Sequence, residues 1–206
     1  MNPKWAEENL QTIRTLMERS ALYRRALAPI LLFAGVIGIA TAGFGLFFHL
    51  DRGWGFCGLW IGAAIIAIAG SFAIARRQAL KDSEIFWSPP TRRVAQALAP
   101  PLSAGLFFGV LMTGIPDNQE VAIITSLLWI LFYGCAVHAA GFFMPRGMKL
   151  FGWLFILCSG GLFAELLLRW RQFELNPHLL MGFFFGGLHL AYGAYLYLTE
   201  KKTPHA

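Results

Sequence analysis

The sequence predicts an all-α fold, namely a polytopic membrane bundle of six transmembrane helices preceded by an amphipathic helix. Only 14% of the 206 residues are charged and 57% are hydrophobic, whereas a soluble domain carries about 25% charged residues. The charges gather in short clusters, and the stretches between them are nearly uncharged and about 20 residues long. A helix of that length crosses about 30 Å of hydrocarbon at about 1.5 Å per residue.

The apolar stretches place the predicted spans at 27–48, 54–75, 94–115, 121–144, 150–168 and 179–198. They form one transmembrane domain, 26–199, followed by a short tail, 200–206. Pro100 and Pro101 interrupt the third span, and each removes a backbone donor. Because the stretch after these prolines is too short to cross, we expect the third helix to start near Arg93 and to kink at the two prolines.

Lys and Arg lie mainly on one side of this layout. Fourteen of the 17 basic residues fall in the N-terminal segment, the second-to-third and fourth-to-fifth connections and the tail. The other side has only Arg52, Arg169 and Arg171. Cytoplasmic loops collect basic residues, so the asymmetry predicts a multi-pass membrane protein with both termini in the cytoplasm. The same asymmetry accounts for the net charge of +6. We therefore expect the chain to contact the lipid bilayer and not to bind nucleic acid.

Two segments outside the spans are predicted to be more than linkers. Residues 1–25 are expected to form a cytoplasmic amphipathic helix, because one apolar stripe runs through them at helical spacing: Leu10, Ile13, Met17 and Ala21. The 76–93 connection mixes polar, basic and aromatic residues. We expect it to lie on the lipid headgroups, and we consider both segments as places where a protein partner binds.

His189 is the most prominent polar residue inside a predicted span. Gly182, Gly186, His189 and Gly193 fall at spacings of four, three and four, so they share one face of the helix. A glycine-lined face lets another helix approach closely, and His189 should therefore point into the bundle. Two interpretations stay open: a neutral histidine hydrogen-bonded to a neighbouring helix, or a ligand, haem or proton site.

Other intramembrane polar residues are weaker candidates. His138 lies at a different predicted depth from His189, and no carboxylate or thiol completes a coordination set, so we expect no metal and no cofactor. Glu165 precedes Arg169 by four residues, which favours an ion pair on one helix face, although a substrate contact is the alternative. The candidate intramembrane polar site therefore consists of His189, Tyr192, His138 and Glu165.

Gly58 and Gly62 form a G-x-x-x-G pattern in the second span. Such faces mark helix–helix contacts in membranes. In a six-helix chain we expect this contact to lie inside the bundle rather than between two copies.

Motifs of conventional catalysis are missing from the sequence. It contains no P-loop, H-E-x-x-H or G-x-S-x-G pattern, and no catalytic residue is predicted. Cys57, Cys135 and Cys158 are odd in number and lie in or beside apolar stretches. They are expected to be small buried hydrophobic residues, not a disulfide framework.

The segment from Leu10 to Ser20, Leu-Gln-Thr-Ile-Arg-Thr-Leu-Met-Glu-Arg-Ser, resembles the start of small uncharacterised bacterial inner-membrane proteins. The resemblance covers about eleven residues. It implies a bacterial inner-membrane protein and brings no activity with it.

Three functions remain open from the sequence. The first is a non-enzymatic membrane protein with a protein partner at its cytoplasmic face. The second is a small-molecule transporter or permease with a polar cavity near His189, Tyr192, His138 and Ser126. The third is a membrane enzyme that acts on lipid.

Overall fold

A computed structural model describes residues 26–83, 85–115, 119–144, 147–168 and 175–199. These residues are almost entirely helical and contain no strand. Six helices are long and apolar enough to cross a membrane: α1 Ala26–Phe47, α2 Gly53–Lys81, α3 Pro89–Met112, α4 Gln119–Ala140, α5 Gly147–Leu168 and α6 Pro177–Thr199. Such a set is compatible with a multi-pass membrane protein. The predicted amphipathic helix over 1–25 and the tail lie outside the described residues.

The interior is organised around α4, which packs antiparallel against α5. Glycines allow this close approach, since a Cβ added at Gly152 would lie 2.5 Å from the backbone nitrogen of His138. The Ser159 hydroxyl in α5 donates to the Leu127 carbonyl in α4 at 2.7 Å. On the other side of α4, the Trp129 indole donates to the Gly105 carbonyl of α3 at 2.8 Å. Hydrogen bonds of this kind hold helices together where hydrophobic burial cannot distinguish lipid from protein.

A second close interface joins α1 to α6. A Cβ added at Gly38 would lie 2.5 Å from the Phe185 carbonyl oxygen, and one at Gly186 would lie 2.9 Å from the Ile39 nitrogen. The glycine face predicted for the last span is therefore in contact with α1. Small residues at such contacts let two backbones approach each other closely.

The connection between α2 and α3 differs from the sequence prediction. The sequence predicts a mixed polar connection over 76–93, whereas α2 continues to Lys81 and α3 begins at Pro89. Only residues 82–88 connect them, and the Phe86 ring packs edge-on against Phe72 of α2 at 4.6 Å. The predicted start of α3 near Arg93 is therefore wrong. Pro89 and Pro90 suit the first turn of a helix, because its amides have no intrahelical acceptor.

The end of the bundle that carries the 82–88 connection and the connection from α4 to α5 is called the basic end below. The opposite end carries the connections from α1 to α2 and from α3 to α4. Along the helices between these ends, many large apolar side chains are exposed, among them Val36, Ile65, Ile68, Phe107 and Val110. Exposure of this extent is unusual on a soluble monomer and is expected where lipid covers the surface.

The G-x-x-x-G pattern does not form the expected internal contact. A Cβ added at Gly58 or Gly62 would meet no atom of the described residues within 4 Å. The prediction of a contact inside the bundle is wrong, because α2 turns its opposite side, with Phe56, Trp60 and Ala63, toward the core.

Candidate functional site

His189 lies in α6 and forms hydrogen bonds with both ring nitrogens. Only 2% of its surface is exposed. Nδ1 lies 2.9 Å from the Phe184 carbonyl oxygen, and Nε2 lies 2.6 Å from the Tyr133 hydroxyl of α4. A carbonyl only accepts, so Nδ1 carries the hydrogen in the neutral ring. Nε2 then accepts from the Tyr133 hydroxyl, and neither nitrogen is left without a partner.

The first of these bonds depends on an irregular segment of α6. Residues Gly182–Gly187 form a π-helix, and the Leu188 amide donates to the Phe183 carbonyl rather than to that of Phe184. The Phe184 carbonyl thereby loses the amide that it would have in an α-helix. His189 Nδ1 takes that place. The wide turn also changes the direction of His189, which contacts α4 and α5, whereas Gly182 and Gly186 contact α1.

Aromatic rings surround the His189 imidazole. Their centroids lie between 5.3 and 6.0 Å from that of the imidazole, and the rings belong to Tyr133, Phe151, Phe155 and Phe185. The space that a polar transport cavity would need beside His189 is thus filled by side chains. The arrangement fits a buried, hydrogen-bonded packing residue.

Tyr192 and Ser126 are also engaged in packing or local bonds. The Tyr192 ring stacks on Phe151 at 4.8 Å, and its hydroxyl lies against the first residue of α5, Gly147. The Ser126 hydroxyl is fully buried and donates to the Ala122 carbonyl of its own helix at 2.8 Å. Tyr192 and His189 thus both contact the Phe151 ring.

His138 and Glu165 lie away from His189. The His138 ring contacts Trp153 at 5.2 Å, and its Nδ1 lies 3.4 Å from the Lys149 carbonyl. Trp153 lies on a different side of α5 from the two phenylalanines that contact His189. Glu165 is half-buried and follows Trp153 by 12 residues, or about 18 Å along the helix. Its predicted partner Arg169 lies outside the described residues, and the ion pair stays a prediction.

A second buried histidine was missed by the sequence analysis. His178 is fully buried in the first turn of α6, at the end opposite the basic end. The Trp60 indole of α2 donates to its Nδ1 at 3.1 Å, and the ring lies directly against Gly45 of α1. Its Nε2 is the buried side-chain atom among the described residues that lacks a hydrogen-bond partner. The available sequence signal was weak: a histidine directly after the helix-starting pair Asn176 and Pro177.

No group of three or more His, Cys, Asp or Glu side chains in the described part of the chain is arranged to hold a metal ion. The three cysteines are free, and Cys57 is buried. No protein family, curated protein or solved structure significantly matches this chain.

Proposed function

We propose that this chain is a multi-pass membrane protein without catalytic activity of its own, which binds an acidic protein partner through residues 76–93. These residues are called the basic hairpin. The proposed orientation puts the basic end in the cytoplasm, in accord with the fourteen-to-three distribution of basic residues in the sequence.

The length of α2 supports this proposal most directly. Its 29 residues extend about 44 Å, which exceeds a hydrocarbon core of about 30 Å. Its charged residues, Arg76, Arg77 and Lys81, all lie in the last six positions. The excess length therefore belongs to the basic end, where α2 reaches beyond the hydrocarbon.

The basic hairpin also has the composition of a binding surface. Leu80 and Ile85 are 68% and 77% exposed. Five basic residues accompany them against two acidic ones in the sequence, and the basic side chains are exposed: Arg76, Arg77, Lys81, Arg92 and Arg93. Apolar anchors surrounded by charges of one sign favour a partner with an apolar patch inside an acidic surface.

The interior gives less support to a transporter. His189 has a partner at each nitrogen, and Ser126 bonds its own helix. The rings around His189 occupy the place of the cavity that this alternative needs.

Site-specific photocrosslinking in cells tests the proposal. A photoreactive residue at Leu80 or Ile85 should give one discrete protein adduct, and the double variant Arg76→Glu/Arg77→Glu should abolish it. Ile115 is the matched control, because it is an exposed aliphatic residue at the opposite end. Adducts that are equally abundant at Ile115, or unchanged by the charge reversal, would contradict a partner at the basic hairpin.

A further inference from the structure

The hydrogen bond between Trp60 and His178 fixes where the histidine proton lies. An indole nitrogen only donates, so Nδ1 of His178 must accept and carries no hydrogen. In the neutral ring the hydrogen is therefore on Nε2. The bond exists only while the imidazole is neutral, since a protonated imidazole has a hydrogen on both nitrogens.

We propose that His178 and Trp60 form a proton-sensitive latch between α6 and α2, closed when the imidazole is neutral and opened when it is protonated. Protonation places an N–H group at Nδ1, directly opposite the Trp60 N–H group. The two N–H donors then face each other across 3.1 Å and repel. The hydrogen bond between the Trp60 and His178 side chains is lost.

Opening of the latch would displace the residues around His178, because they enclose its ring tightly. The ring has no exposed surface, and it is enclosed by Gly45 of α1 and by Phe56 and Trp60 of α2. A histidine that gains a charge there cannot rotate without moving these neighbours. On the α1 side the ring lies against the backbone of Gly45, which has no side chain that could move aside. We therefore expect the ring to move relative to α2.

Burial of the His178 ring opposes a positive charge on it, and the polar groups that face the ring offset this cost in part. From the connection between α1 and α2, the Leu50 backbone and the Asp51 carboxylate interact with the ring. From α2 the facing side chains, Phe56 and Trp60, are uncharged. On α6 itself, the Asn176 side chain accepts from the His178 and Leu179 amides and is uncharged. Asp51 is thus the negative charge that a protonated ring meets among the described residues.

The latch is connected to the π-helical segment through one ring. Trp60 contacts Phe185 at 6.4 Å, and Phe185 stacks on His189 at 6.0 Å. Phe185 lies inside Gly182–Gly187. A displacement of Trp60 would therefore act on the irregular part of α6 through the Phe185 ring. Such π-helical segments often occur at functional sites.

Fluorescence of the full-length protein in lipid nanodiscs tests the latch. The spectrum of the wild type minus that of Trp60→Phe isolates Trp60 from the other tryptophans. We expect this difference spectrum to change reversibly, as one single-proton step, as the pH falls from about 8 to about 4. In His178→Asn the step should disappear, because the amide oxygen still accepts from Trp60 but does not titrate in this range.

His49→Gln is the matched control, since His49 is exposed and lies at the same end; it should keep the step. A difference spectrum that is invariant with pH, or a step that persists in His178→Asn, would overturn the proposal. Thermal unfolding gives a second measurement if His178→Asn does not fold. Acid should lower the melting temperature of the wild type more than that of Trp60→Phe, and equal decreases would also overturn the latch.

Discussion

The Tyr133 hydroxyl lies 2.6 Å from Nε2 of His189 and connects α4 to α6 in the interior of the bundle. The second nitrogen of the same ring bonds the Phe184 carbonyl that the π-helical turn releases. Both ring nitrogens of His189 therefore have hydrogen-bond partners inside the bundle.

We expect His189→Gln to be tolerated better than His189→Leu. The glutamine carbonyl can still accept from Tyr133, whereas leucine removes the bond between the helices, which costs about 0.6 kcal/mol on average in membranes. Tyr133→Phe should cost a similar amount, and a double-mutant cycle by denaturant unfolding measures the shared part. A well-folded His189→Gln protein that fails to complement a deletion strain would contradict the packing role and favour the transporter.

Substitution of two glycines on α1 should have clearly different effects on stability. A Cβ at Gly38 would lie 2.5 Å from the Phe185 carbonyl oxygen, whereas one at Gly43 would meet no described atom within 4 Å. Gly38→Ala should therefore separate α1 from α6 and destabilise the protein by about 1–3 kcal/mol. Gly43→Ala should be neutral or slightly stabilising, because alanine favours helix. Thermal unfolding of the two variants in the same detergent measures the difference, and equal melting temperatures would argue against the α1–α6 contact.

The proposed orientation predicts where reporter proteins work. A reporter that is active only in the cytoplasm should give signal when fused after Ala206 and none when fused after Asn118. The reason is the concentration of Lys and Arg at one end. Enzymatic activity of the two fusions in intact cells is the measurement. The reverse result would refute the orientation, and with it a cytoplasmic partner at the basic hairpin.

Residues 3–25 should behave as a surface-seeking peptide. We expect the isolated peptide to be largely unstructured in water, because short helices are marginal there. It should gain helix on anionic lipid vesicles and bind more weakly as salt rises. Circular dichroism with and without vesicles checks this. An unchanged spectrum would favour a segment that becomes helical only on a protein partner.

The number and order of the helices could be predicted because long apolar runs are a property of local sequence. The ends of α2 and α3 could not, since Arg76, Arg77 and Arg92 end the apolar signal while the helices continue. The hydrogen-bond partner of His189 could not be predicted from the sequence either. Tyr133 is 56 residues away, and their contact depends on how α4 and α6 pack. At Gly58 and Gly62 the sequence predicts a helix contact that the fold does not form. The motif shows that a helix could approach closely, but it does not show that a neighbouring helix is present.

The π-helical segment of α6 has a consequence for insertions and deletions. A π turn contains one residue more than the α turn that would replace it. A regular α-helix with the same number of residues would rotate His178 relative to His189 by roughly 100°. Deletion of a single residue within Gly182–Gly187 would instead restore a regular α-helix and keep the two histidines in their present directions. A one-residue deletion in this segment should therefore be tolerated better than one elsewhere in α6, where it would rotate all residues beyond it by roughly 100°.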